Sequence, residues 1–270
     1  MTTQKYREVA IETPLGADVL LLKEATLTEA LSQPFVIDLQ LLSRQEDIHF
    51  EDLLGENATL RIELPDDQTR YFNGHITDFS QTGNEGDFAV YHATLRPWLW
   101  FLSQTHDCRI YQQQTVPDII KAIFREQGFS DFEERLSRDY QSYDYRVLYR
   151  ESYFNFVSRL MEQEGIYYYF EQDNGKHTLI LADSDASHGL IPGHETLPYT
   201  PPNTAVVRDE HAISRWSVAK QVQSGRITLD DFAFERPKAD LSARSSMAAD
   251  HAHADYERFD YPGEFQVREI

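Results

Sequence analysis

The sequence predicts an α+β protein that is mainly β. Across the first hundred residues apolar and polar positions alternate between turn signals, and further on two capped helical stripes interrupt the strand pattern before strands resume. Aromatic residues make up 13% of the 270, with 15 Tyr and 16 Phe, a content that suits strands and contact surfaces.

The elements follow in order. In Phe35-Val36-Ile37-Asp38-Leu39-Gln40-Leu41, alternation begins at Ile37, with Ile37, Leu39 and Leu41 on one face and Asp38 and Gln40 on the other. Leu60-Arg61-Ile62-Glu63-Leu64 repeats the alternation and stops at the turn cluster Pro65-Asp66-Asp67. Residues 71–81 and 88–95 flank Thr82-Gly83-Asn84-Glu85-Gly86-Asp87 and read as a hairpin, because its glycines reach positive φ at little cost. This run of strands is the pattern of a β-barrel or a sandwich.

After Pro97 the texture changes. Thr115-Val116-Pro117-Asp118 opens a helix with a cap, a proline in the first turn and an acid at the positive end of the dipole. Its stripe is Val116, Ile119, Ile120, Ile123 and Phe124, and Gly128 ends it. A second helix starts near Ser152, carries Phe156, Val157, Leu160 and Met161, and closes at Gly165. Each helix has one apolar stripe to cover, so both are expected on the sheet that contains the next strand, Tyr167-Tyr168-Tyr169-Phe170. That strand pairs through Asp173-Asn174-Gly175-Lys176 with His177-Thr178-Leu179-Ile180-Leu181-Ala182. Residues 184–203 are rich in Gly and Pro and mark a domain boundary. Beyond them, residues 212–222 and 226–234 read as strands paired around Ser224-Gly225, and the Ala-rich residues 240–255 as helical. A hairpin ending in Arg96-Pro97 thereby recurs before Arg236-Pro237, a short match that carries little weight alone.

Charge narrows the partners. With 45 acidic and 25 basic residues the net charge is -20, a field that repels nucleic acid and anionic membrane surfaces alike. The opening residues carry no apolar core of a secretory signal, and no apolar run is long enough to span a bilayer, so a cytoplasmic protein is expected. The one cysteine, Cys108, excludes an intrachain disulfide and a multi-Cys metal site.

Chemical constellations are sparse. There is no G-x-S-x-G elbow for an activated serine and no Gly-rich loop of a phosphate-binding kind. Asp250-His251-Ala252-His253-Ala254-Asp255 gathers two imidazoles and two carboxylates, but on a helix His251 and His253 diverge by about 200°. The expected reading is a solvated segment, with no metal and no cofactor. Glu133-Glu134, Glu162 with Glu164, Asp183 with Asp185, and Asp230-Asp231 are pairs that an acidic chain produces without catalytic purpose. Cys108, beside Arg109, is expected to be a buried small hydrophobe rather than a nucleophile. Pro97-Trp98-Leu99-Trp100-Phe101-Leu102 reads as a core plug, and residues 167–170 as packing. No catalytic, cofactor-binding or metal residue is assigned.

One long block is distinctive. Arg159-Leu160-Met161-Glu162-Gln163-Glu164-Gly165-Ile166-Tyr167-Tyr168-Tyr169-Phe170, followed by Gly175-Lys176-His177-Thr178-Leu179-Ile180-Leu181-Ala182-Asp183-Ser184, resembles the signature of the VgrG (valine-glycine repeat protein G) family of type VI secretion spikes. Its flanks agree in order: Phe72-Asn73-Gly74-His75-Ile76, Leu95-Arg96-Pro97-Trp98-Leu99-Trp100, Cys108-Arg109-Ile110-Tyr111-Gln112, Glu151-Ser152-Tyr153-Phe154-Asn155-Phe156-Val157 and Leu229-Asp230-Asp231-Phe232-Ala233-Phe234-Glu235-Arg236-Pro237.

The resemblance implies a phage tail hub-like fold of two barrel-like β domains with an attached α/β portion: residues 1–104, then 105–183 with the two helices, then 184–270. It implies a structural hub and not an enzyme, assembled as a homotrimer whose six barrels sit on a sixfold Hcp tube. Baseplate components, effectors and adaptors are the further partners it implies, with export through the type VI apparatus. Family members continue into a neck and a β-helical needle. The chain stops at Ile270 before either and is expected to be a shortened form. The competing readings are the hub of a phage tail or related contractile particle, a polymer-degrading hydrolase and a cargo-binding module. A hydrolase needs a concave site with convergent acids, and a cargo module needs an exposed apolar patch.

Overall fold

Alternation in the first hundred residues builds one six-stranded antiparallel sheet in the computed structural model, which describes residues 3–64, 68–189, 196–200, 213, 215–247 and 250–263. The strands are β1 (Val9–Glu12), β2 (Leu21–Thr28), β3 (Val36–Ser43), β4 (Asn57–Glu63), β5 (Thr69–Glu85) and β6 (Phe88–Arg96), in the spatial order β1-β4-β5-β6-β3-β2. The sheet curls until β1 and β2 come near one another. Ile37, Leu39 and Leu41 are buried as their phase predicts, beside Leu60, Phe72, Ile76 and Leu95. Gly74 lies where the strands crowd: a Cβ there would stand 3.1 Å from Leu95 Cβ and 3.2 Å from Arg96 O. The hairpin is longer than predicted, because β5 and β6 pair as far as Glu85 and Phe88 and leave only Gly86-Asp87 as the turn. The turn cluster Pro65-Asp66-Asp67 lies outside the described residues.

A 3-10 turn over Trp98–Ser103 buries Trp98, Leu99 and Leu102, as expected of a core plug. Then β7 (His106–Thr115) pairs with β9 (Ser142–Ser152) in a two-stranded ribbon. Helix α1 (Val116–Glu126) follows β7: the Thr115 hydroxyl accepts from the Asp118 amide, and the predicted stripe from Val116 to Phe124 is buried. Helix α2 (Tyr153–Glu164) follows β9, capped by Ser152 and ended by Gly165 at φ +67°, which a residue with a Cβ would adopt only at a cost. The parallel neighbour β8 (Phe132–Arg135) joins β10 (Tyr167–Asp173) and β11 (Lys176–Ala182) in a sheet of order β10-β11-β8.

Both helix stripes lie in one buried cluster with Tyr168, Phe170, Leu179 and Leu181 of the expected sheet, and the ribbon shares in covering them. They pack on each other, α1 on β7 and α2 on β9 and the 3-10 turn. Contact of α1 with the β10 sheet includes Phe124 and Arg125 against Phe132 of β8 and Lys121 paired with Glu134. Each helix leaves directly from one ribbon strand, so ribbon side chains cover part of the stripes as well, with Tyr111 stacked on Phe156.

The chain divides into two compact units, residues 1–189 and 190–270. In the second, β12 (Arg226–Leu229) is central between antiparallel β13 (Ala243–Ser246) and parallel β14 (Glu257–Asp260). Two expectations are corrected. The described part of residues 240–255 is not helical: β13 and a turn at 252–255 lie there, because strand pairing with β12 overrides the alanine propensity, and residues 248–249 lie outside the described residues. Residues 215–224 form no strand, so β12 takes its partners downstream and the expected second hairpin is absent from the described residues; Ala212 and Ser214 lie outside them.

Candidate assembly surface

The clusters weighed for chemistry resolve into structure. His253 lies in the turn at 252–255 and His251 just before it; His251 Nδ1 contacts Ala252 O at 2.9 Å, while His253, at φ +67°, rests on the Tyr256 ring. Among the described residues no group of three His, Cys, Asp or Glu is placed to hold a metal ion. Chelation of divalent ions is therefore expected to leave the melting temperature unchanged; a fall that zinc restores would overturn this reading and point to His251 and His253.

The acids spread over separate tasks. Asp183 accepts from the Ser137 amide at 2.8 Å, the Ser137 hydroxyl at 2.8 Å and the Tyr140 hydroxyl at 3.0 Å, which holds its carboxyl below the usual range and fixes the loop between β8 and β9. Glu164 pairs with Arg138 and accepts from Tyr143, and Glu133 shares Arg135 with Glu171. Asp230 and Asp231 each accept from the next residue's amide. Asp183 thus fastens a loop, Glu164 the end of α2 and Glu133 the strands β8 and β10.

Cys108 is exposed on β7, which corrects the expectation that it is buried. Strand phase explains it: Cys108, Ile110 and Gln112 share the outer face of the ribbon, opposite Tyr149, Val147 and Tyr145 of β9. Ile110, Tyr145 and Tyr149 are 65%, 65% and 63% exposed. Arg109 turns to Asp107 and Glu126 and Arg146 stacks on Tyr143, while the Arg150 guanidinium lies over the Tyr149 ring.

One buried polar network escaped the sequence reading. His177 is 2% exposed; its Nε2 accepts from the Trp98 amide at 2.9 Å, so Nδ1 carries the proton and donates to Asn73 Oδ1 at 2.8 Å. Asn73 Nδ2 donates to Thr59 Oγ1 at 2.8 Å, and the Asn73 amide donates to Gln172 Oε1 at 2.8 Å. The network ties the curled sheet to the β10–β11 hairpin. Burial pushes the His177 imidazole down to about 3, with the neighbouring His75 adding in the same direction. A signal existed: His177 has the same phase as the buried Leu179 and Leu181.

With this geometry in place, comparison with known proteins is decisive. The model of the phage tail baseplate hub (GPD) family matches residues 28–269. The chain belongs to that family. It is 48% identical over 262 residues to the type VI secretion system spike protein VgrG1b of Pseudomonas aeruginosa, covering 97% of this chain and 35% of that protein. It is 30% identical to the actin cross-linking toxin VgrG1 of Vibrio cholerae, over 86% of this chain and 21% of that one. The chain thus spans about a third or less of these relatives. Among solved structures, the Escherichia coli c3393 protein, described as a component of the type VI secretion system similar to the T4 tail proteins gp27 and gp5, superposes with a TM-score of 0.56 at 27% identity, over 68% of this chain and 52% of its own. A tail protein of Neisseria meningitidis shares the hub fold at 13% identity and a TM-score of 0.59, over 93% of this chain and 69% of its own. The mainly β fold expected from the sequence is the fold found, and its structural neighbours are phage tail and type VI secretion proteins.

Proposed function

We propose that this chain is the structural hub portion of a type VI secretion spike, a homotrimeric adaptor that couples the spike to an Hcp tube for puncture and effector delivery. The observation that carries the proposal is 48% identity across 97% of the chain to a named spike protein. The phage tail or related contractile particle is the second reading, favoured by the family model itself. In this proposal residues 1–104 and 184–270 supply the barrel-like domains of the ring and residues 105–183 the α/β portion. The spike waits in the cytoplasm and leaves through the apparatus. Among the described residues no helix is long and apolar enough to cross a membrane.

Assembly sets the terms of the test. Three bodies of net charge -20 repel, so contact must rest on uncharged apolar and aromatic area with acids kept to the rim. The expected result is a weak trimer that strengthens with protein concentration and with salt, because screening shortens repulsion to a Debye length of about 8 Å at physiological ionic strength. Sedimentation across protein and salt concentrations, with and without Hcp rings, checks it. A chain that stays monomeric and ignores Hcp, or one that forms a stable dimer, overturns the reading.

A further inference from the structure

The first unit does not release the chain where its last strand ends. β11 stops at Ala182, yet the unit runs on to Gly189 before the second begins at residue 190. Residues 183–188 belong to no sheet, and they are fastened to the first unit at two places.

The first is Asp183. Its carboxylate accepts from the amides of Ser137 and Arg138 at 2.8 and 3.3 Å and from the hydroxyls of Ser137 and Tyr140 at 2.8 and 3.0 Å. Hydrogen bonds to an ionised acceptor are roughly twice as strong as neutral ones, so the strand end is held firmly. The second place is the outer face of β10. Tyr167 and Tyr169 share that face because they lie two residues apart, while Tyr168 and Phe170 are buried on the other. A 3-10 turn over Asp185–Ser187 brings His188 onto it. The imidazole stacks on the Tyr167 ring at 5.7 Å and 21° and meets the Tyr169 ring at 4.9 Å and 34°. The Tyr167 hydroxyl donates to Ser184 O at 2.9 Å, since a carbonyl can only accept, so His188 Nε2 carries the proton and donates to Tyr167 Oη at 2.8 Å. One phenol thereby joins both ends of the turn. The Tyr169 hydroxyl donates to Ser187 O at 3.3 Å and accepts from Arg135 at 3.0 Å, and Arg135 is itself fixed by Glu133 and Glu171. None of these contacts completes the core, because they all lie on the face of β10 turned away from it.

We propose that residues 183–188 are a clasp that fastens the exit of the chain to the first unit, with Tyr167 and His188 as its catch, and so sets the slack between the two units. Closed, it leaves only Gly189 before the second unit; open, it adds six residues, at most about 20 Å of extended chain. The inference stands on contacts within the first unit and does not require the hub reading.

Two variants open the catch. Tyr167→Phe removes only the hydroxyl, and His188→Ala removes the ring from an exposed position, so the melting temperature is expected to hold in both. The Ser187 and His188 amides close the turn onto Ser184 O and Asp185 O; their hydrogen exchange is expected to speed up about tenfold in each variant, the effect of a lost hydrogen bond. Slack is read by pulsed electron spin resonance between labels on Cys108, which is exposed, and on Ser245→Cys in β13, with labelled chain diluted into unlabelled chain so that only distances within one chain count. Opening the catch is expected to widen that distance distribution by about 10 Å, the scale that six flexible residues add. Three results overturn the proposal: Ser187 and His188 amides that exchange as fast in the parent as in the variants, a distance distribution of unchanged width, or a fall in melting temperature with faster exchange throughout the first unit, which would make these contacts ordinary packing. Binding to Hcp rings, read separately, reports on the hub reading and is not decided by any of these.

Discussion

Replacing Leu160 by alanine is expected to lower the stability of the first unit by about 2–5 kcal/mol, the range for emptying a fully buried leucine site. Leu160 is 0% exposed on α2. The helix packs against the 3-10 turn that carries Trp98, Leu99 and Leu102, against β9 and against α1, so the void would be ringed by elements that cannot all collapse inward. Trp98 in turn stacks on Phe129 at 4.8 Å and meets Phe124 edge-on at 4.9 Å, which fixes the wall nearest the helices. Leu160→Met, close in volume, is expected to cost less than about 1.5 kcal/mol. Urea unfolding of the two variants side by side reads the difference. An alanine variant as stable as the parent would mean that α2 does not serve as core.

The two helices were legible because capping is local chemistry: Thr115 with Asp118, and Ser152 with Gly165, mark ends that the fold keeps. The strands of the first sheet were legible for a similar reason, since phase along Ile37, Leu39 and Leu41 decides which face is buried. Long-range choices were less readable. Which strand takes which partner depends on closure of the whole sheet, and nothing in the neighbourhood of Arg226 indicates that its strand will pair with residues 243–246 and 257–260. The same limit hid the partners of the His177 network. A polar residue in a strand is ordinarily solvated, and only tertiary structure brings Asn73 to His177 across 104 positions. Cys108 shows the converse error: residue-type statistics placed it inside, while the phase it shares with Ile110 and Gln112 puts it on the outer face of the ribbon.

Lowering the pH from 7 to 5 is expected to weaken the fold through His177. The imidazole must stay neutral in place: one nitrogen accepts from the Trp98 amide and the other donates to Asn73, so a second proton would face a donor with no room to turn away. The folded state therefore holds this group at about 3, against 6.5 for an ordinary imidazole. Above pH 6.5 both states are neutral and the full stability is present. Below it the unfolded chain takes up a proton that the folded chain refuses, and stability falls by about 1.4 kcal/mol per pH unit until the folded group also titrates. At pH 5 the loss amounts to about 2 kcal/mol, and burial of His75 acts with the same sign. Asp18, Asp107, Asp118, Glu133 and Asp183 are all lowered in the folded state, so their contribution is present above the ordinary carboxylate range and is lost only further into acid. Glu29, whose carboxyl is raised by burial, acts with the opposite sign toward the acid end of this window, so the histidine contribution is read from the His177 variant. His177→Gln keeps an amide donor and acceptor but cannot take up a proton. Its stability at pH 7 is expected to drop, while its further loss between pH 6.5 and 5 shrinks by most of those 2 kcal/mol. An identical slope in the variant and the parent would show that His177 is not held neutral.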